Sequence, residues 1–155
     1  MAKHANNKRV WLNLRDAFPF PYDVDDARHW IASVAHQDPR VSFVIEVDGE
    51  VCGSIGLKAG SDMERVSAEL GYWLGESVWG RGIATEAATA ITDYALNKLR
   101  FSRIFAVPMI HNGASFRVLE KAGFQREGVL RKACIKNGEI RDMVMYSRVS
   151  DDLLT

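Results

Sequence analysis

The chain has 155 residues, 47% of them hydrophobic, and its 20 Lys and Arg balance 20 Asp and Glu to a net charge of zero. That length suits one domain over residues 1–155 with its own core, and the charge balance gives no overall attraction to nucleic acid or to an anionic membrane. No apolar run reaches the roughly 18 residues of a membrane span, and the opening MAKHANNKRVW lacks the apolar centre of a signal peptide, so the expected compartment is the cytoplasm.

Residues 6–16 have the composition of a short helix, which the FPFPY segment (Phe18 to Tyr22) ends, because proline disfavours helix in the residue before it. A second helix follows from Asp23, with Asp23 as N-cap, Asp26 as its acidic third residue, and Ala27, Trp30, Ile31 and Val34 at helical spacing. From Val41 to Leu57 two β-rich runs flank Asp48-Gly49, a pair suited to a type I′ hairpin turn. A third strand is expected over Arg65 to Leu74. Its alternation puts Val66, Ala68, Leu70, Tyr72 and Leu74 on one face and Ser67, Glu69, Gly71 and Trp73 on the other.

Next comes WGRGIATEAATAITDYALNKL, a glycine-bearing loop feeding a long helix whose stripe is Ile83, Ala87, Ile91 and Tyr94. A strand over Arg103 to Ile110 and a helix from about Asn112 to Ala122 follow, the latter closed by Gly123 at the left-handed C′ position. The final hairpin pairs Phe124–Lys136 with Glu139–Val149 about Asn137-Gly138. The order predicts a mixed α/β domain in which strand 65–74, helix 82–99 and strand 103–110 form a right-handed parallel βαβ unit and the other strands pair antiparallel.

Cys52 and Cys134 have no CxxC or Cys/His spacing, and His4, His29, His36 and His111 make no ligand pattern, so neither a disulfide framework nor a metal is expected. Both thiols read as small buried hydrophobes. The cluster Arg126, Arg131, Lys132 and Lys136 reads as a solvated strand face. Trp11, Phe20, Tyr22 and Trp30 read as core aromatics.

The segment Glu76 to Ala84 leaves a strand, turns through Gly80 and Gly82 and starts a helix, so its amides and the helix dipole suit phosphate oxygens, with Arg81 adding charge. An ordinary tight βα turn is the alternative. The spacing fits neither GxxxxGK[ST] nor GxGxxG.

Taken together, AELGYWLGESVWGRGIATEA, NGASFRVLEKAGF and EGVLRKACIKNGEIRDMVMYS resemble the RimJ/RimL-type branch of the GNAT superfamily, whose members move an acetyl group from acetyl-CoA to an amine. The resemblance covers nearly the whole chain from Arg9. It implies a GNAT-like fold with splayed central strands and no metal. It also implies that the amides of Trp79, Gly80, Arg81, Gly82, Ile83 and Ala84 hold the CoA pyrophosphate, and that Trp73, Leu74 and Gly75 offer a freed strand edge to the pantetheine arm. Catalysis would fall to Glu69 as proton acceptor from the amine and to Ser115 as hydrogen-bond donor to the departing thiolate, with Asn112 orienting the pantetheine or a water. Glu69 as a structural carboxylate paired with an Arg or Lys, and Asn112 and Ser115 as an N-cap and a first-turn hydroxyl, are the alternatives. Leu119 stands where relatives often carry a tyrosine, and Cys134 where some carry a glutamate.

The implied partner is an amine acceptor, either a protein N-terminus or a small molecule. A noncatalytic acyl-CoA-binding domain is the rival reading, and a binder of nucleotide phosphates a second. Relatives open with a strand, whereas this chain begins near their first helix, at NNKRVWLNL. Truncation, a naturally short chain, or a partner such as a second copy covering the open edge are the alternatives for that difference.

Overall fold

The computed structural model describes residues 1–151. Among the described residues, five α-helices flank one mixed sheet of six strands. In chain order they are α1 (Ala2–Ala5), α2 (Lys8–Trp11), α3 (Val24–Val34), β1 (Ser42–Val47), β2 (Glu50–Ala59), β3 (Ser67–Leu74), α4 (Ile83–Asn97), β4 (Arg103–Ala106), α5 (Gly113–Lys121), β5 (Gln125–Lys136) and β6 (Glu139–Val149). The strand order is β1-β2-β3-β4-β6-β5, with β3 and β4 parallel and every other pair antiparallel. The outer edge of β1 has no strand partner among the described residues.

Local chemistry sets most of these boundaries. Asp23 accepts hydrogen bonds from the Asp25 and Asp26 amides while the Asp26 carboxylate accepts from the Asp23 amide, a complete capping box for α3. Both hairpin turns have two consecutive positive φ angles, 52° and 82° at Asp48-Gly49 and 51° and 79° at Asn137-Gly138, as type I′ turns require. Gly123, at φ 87°, ends α5.

Three expected elements are shorter in the structure. Asn7 caps only the single turn of α2, with its side chain accepting from the Arg9 amide, so 6–16 is not one helix. Residues Asp62–Val66 form a 3-10 turn, and β3 therefore begins at Ser67. The strand expected over 103–110 stops at Ala106 because Pro108 has no N–H to give a ladder, although its carbonyl accepts from Val144.

The alternation along β3 divides two cores. Ala68, Leu70 and Leu74 join the main cluster with Ala88, Ile91 and Ala95 of α4, Leu119 of α5 and Val144 and Tyr146 of β6. Trp73 points the other way and packs with Ala5, Val10, Tyr22 and Ala27 of the N-terminal helices and the turn after them. Helices thus cover both faces of the sheet, and each face excludes water from a different side of β3.

Candidate active site

The central strands part company halfway along. Parallel pairing between β3 and β4 is confined to Ser67↔Arg103, Ala68↔Ile104 and Glu69↔Phe105, while β3 continues against β2 to Leu74. Residues Leu70 to Leu74 consequently face a gap where β4 would lie, because β4 turns to pair with β6 along its whole length. A cleft of about 1390 Å³ opens from this gap. Of the residues expected at the site, Glu69, Trp73, Leu74, Trp79, Gly80, Arg81, Gly82, Ile83, Ala84, Asn112 and Ser115 all line it.

Gly75 is the exception. Its amide donates to the Cys52 carbonyl at 2.7 Å, which fixes the two-residue alternation along the antiparallel β2-β3 pair. Backbone groups of Trp73 and Gly75 therefore point to β2, and those of Tyr72 and Leu74 point into the gap. The freed edge is thus Tyr72 and Leu74. The Leu74 carbonyl is already taken by the Trp79 indole N–H at 2.7 Å, which ties the glycine loop back to the strand end.

At the other end of the cleft the loop turns through Gly80 (φ 75°) and Gly82 (φ 80°), conformations that side chains with a Cβ avoid. A Cβ at either glycine would meet nothing within 4 Å, so the cleft there is open and backbone direction is the constraint. Gly82 is the N-cap of α4 and offers no side chain to its first turn; the first intrahelical bond is from the Glu86 amide to the Gly82 carbonyl. Among the described residues, nothing accepts from the amides of Gly80 to Thr85. Six successive N–H groups at the positive end of a helix dipole make a site for an anion. Arg81 stands beside them, loosely paired with Asp48 at 3.7 Å.

Midway along, Asn112 caps α5 and accepts from the Ser115 amide at 3.2 Å. The Ser115 hydroxyl meets the Tyr72 hydroxyl at 2.6 Å across the gap. Burial raises the Tyr72 phenol to about 12, against a smaller opposing effect of the Ser115 hydrogen bond. The phenol therefore keeps its proton at neutral pH and is available as a donor. Sequence reading missed Tyr72, since alternation put it on an apolar face with Leu70 and Leu74. Leu119, at the position where the resemblance implies a tyrosine, is fully buried in the core.

Glu69 sits on the opposite face, its Oε1 paired with Arg15, as a structural carboxylate would be. Its Oε2 makes no hydrogen bond to a described residue. The same wall contains Lys136, which is not a solvated strand residue: its side chain is 3% exposed, its ammonium is 2.7 Å from Asp16 Oδ1, and it lies 3.7 Å over the Trp11 ring. Cys134 also lines the cleft and is only half-buried, whereas Cys52 is buried as expected. Tyr22 and Trp30 line the cleft too. His111 does not; its ring lies against Arg141 at 3.4 Å.

Comparison with known proteins gives one consistent picture. The family described as "Acetyltransferase (GNAT) domain" matches residues 1–125. N-acetyltransferase p20 of Bacillus licheniformis is 35% identical over 130 residues, 81% of this chain and 72% of that one. The ribosomal-protein-serine acetyltransferase of Escherichia coli is 30% identical over 147 residues, covering 92% and 82%. Among solved structures, a RimL ribosomal L7/L12 α-N-protein acetyltransferase in complex with coenzyme A superposes with a TM-score of 0.84 at 23% identity, over 97% of this chain and 86% of that one. The chain spans about half the length of several other Bacillus subtilis relatives that it matches.

Proposed function

The chain belongs to the GNAT family of N-acetyltransferases, and we propose that it transfers an acetyl group from acetyl-CoA to a primary amine directly, with both substrates bound together. The acceptor is a protein N-terminal α-amine or a small-molecule amine. The observation that carries this reading is the cleft between β3 and β4, with six unpaired amides at one end and the Tyr72–Ser115 pair halfway along.

Acetyl-CoA supplies the activated acetyl group as a thioester. The amides from Gly80 to Thr85 are suited to hold its pyrophosphate, and the freed edge at Tyr72 and Leu74 to pair with the pantetheine arm. An amide of that edge then polarises the thioester carbonyl. An α-amine, with a pKa of about 7.7–8.0, is partly protonated at neutral pH. Glu69 Oε2 accepts that proton, directly or through a water, while Arg15 holds the other oxygen in place. Tyr72 donates to Ser115 Oγ, which leaves the serine proton aimed at the sulfur that takes up negative charge. Asn112 sets the helix turn on which Ser115 rides.

The test is thiol release from acetyl-CoA with a panel of peptides bearing free α-amines, the same peptides N-terminally blocked, and small amines. Release with a free amine and none with the blocked peptides is the expected result. Tight CoA binding without release across the panel would favour the noncatalytic acyl-CoA-binding reading, which the Arg15–Glu69 pair and the apolar Leu119 support.

A further inference from the structure

A second constellation lies outside the cleft, where α1 crosses the start of β2. Glu50 and Cys52 stand on either side of Val51 on β2, where the β1–β2 register shifts and leaves Cys52 without a partner on β1. His4 of α1 packs over them, with Nε2 3.1 Å from Glu50 Oε1 and 3.6 Å from Cys52 Sγ, and the three donor atoms all lie within 4.8 Å of one another. We propose that His4, Glu50 and Cys52 bind a divalent transition metal, zinc by the chemistry of the donors, and that it fastens α1 to β2.

The distances have the size of coordination edges. A tetrahedral zinc with ordinary bond lengths separates a nitrogen and an oxygen ligand by about 3.3 Å and a nitrogen and a sulfur ligand by about 3.6 Å. Glu50 is half-exposed and adjusts by side-chain rotation, whereas His4 and Cys52 are buried and already placed. The imidazole is oriented from behind. Its Nδ1 faces the Ser77 hydroxyl at 3.5 Å, on the side where metal-bound histidines carry their outer hydrogen bond, leaving the Nε2 lone pair for the metal. Gly75 makes room for the ring, since a Cβ there would stand 2.8 Å from Nδ1.

Imidazole, thiolate and carboxylate together favour zinc over magnesium or calcium, which take oxygen ligands. Water reaches the fourth position past Glu50. Binding expels the Cys52 thiol proton to solvent, so affinity rises with pH. Lys3 Nζ, now 3.2 Å from Glu50 Oε1, is on an exposed side chain that swings clear. The pattern was invisible in the sequence because His4 is 46 positions from Glu50. The site stands independently of the acetyltransferase reading.

The experiment is a cobalt(II) titration of the chelator-treated full chain under reducing conditions, followed by displacement with zinc. The expected result is one equivalent bound, with thiolate-to-cobalt charge-transfer absorption and tetrahedral visible bands, retained in Cys134→Ser and lost in Cys52→Ser and His4→Gln. Glu50→Gln, a change at a half-exposed position that leaves the core intact, should weaken zinc affinity at least about tenfold. Absence of the charge-transfer band at one equivalent, its survival in Cys52→Ser, or unchanged zinc affinity in Glu50→Gln would overturn the proposal.

Discussion

In the proposed reaction Tyr72 orients Ser115 through one hydrogen bond that spans two elements, so the effects of replacing them should be coupled and unequal. Ser115→Ala removes the donor nearest the sulfur and should lower kcat by roughly 10²-fold, the scale of losing one donor aimed at developing charge. Tyr72→Phe leaves that donor in place but unoriented, and a smaller loss of about tenfold is expected. In both, KM for acetyl-CoA should change less than kcat, and the double variant should lose little more than Ser115→Ala alone. Steady-state kinetics of the four proteins decide the matter.

The phenol also makes a prediction about stability. Its folded-state value is raised from 10.0 to about 12, so its contribution is intact below pH 10 and is lost as pH climbs through 12. Alkaline unfolding curves should therefore be steeper for the wild type than for Tyr72→Phe between those limits. Residues such as Tyr72 and Lys136 were not legible as site residues for a common reason. Their pattern positions describe a strand face, while their polar tips meet partners 43 and 120 positions away in the chain.

Among the elements, the glycine loop carries the clearest separation of binding from folding. Gly82→Val forces a branched residue into φ 80°, a strain of about 1–2 kcal/mol, and its side chain enters the open end of the cleft. Acetyl-CoA affinity measured by calorimetry should fall at least about tenfold, while thermal melting shifts by only a few degrees. Equal losses in both would count against the loop as the anchor. Leu119→Ala should do the reverse, costing about 2–5 kcal/mol of stability through a cavity beneath α5, as read by denaturant unfolding.

The strands beyond the cleft have their own electrostatic tie. Arg103 of β4 donates to both oxygens of Glu127 of β5 at 2.6 and 2.5 Å, and Ser147 of β6 donates at 2.5 Å. The guanidinium, helped by the hydroxyl, holds the Glu127 carboxyl down at about 2, against an ordinary value of 4.5. A depressed value means stability that is present above pH 4.5 and lost as pH falls toward 2. Glu127→Gln should flatten that part of the acid unfolding curve. Helix and hairpin positions were readable because capping box, type I′ pairs and apolar stripes are local. The short β4 and the late start of β3 were not, since a proline, a 3-10 turn and the choice of sheet partner set them.

Viewed whole, the molecule is built around a defect in its sheet. The βαβ unit predicted from the order of elements is present, but only three residue pairs join its two strands. The divergence beyond them creates the cleft. Residues contributing to that cleft range from Met1 to Met143, so the wall could not be assembled from any one motif. The glycine loop was legible because its glycines sit at fixed offsets from a helix start, whereas Asn112 and Ser115 stood out as site residues only through the resemblance to RimJ/RimL-type acetyltransferases. The N-terminal helices were the harder part: α1 and α2 have four residues each, too short for periodicity to speak, and they are held by contacts with Trp73, Glu50 and Glu76.

Isothermal calorimetry of the folded chain with acetyl-CoA tests the account most directly. One binding site per chain with micromolar or tighter affinity, weakened in Gly82→Val, is the predicted result. A folded protein that gives no heat, or that prefers ATP to CoA, would contradict the assignment of the β3–β4 gap and the glycine loop to this cosubstrate.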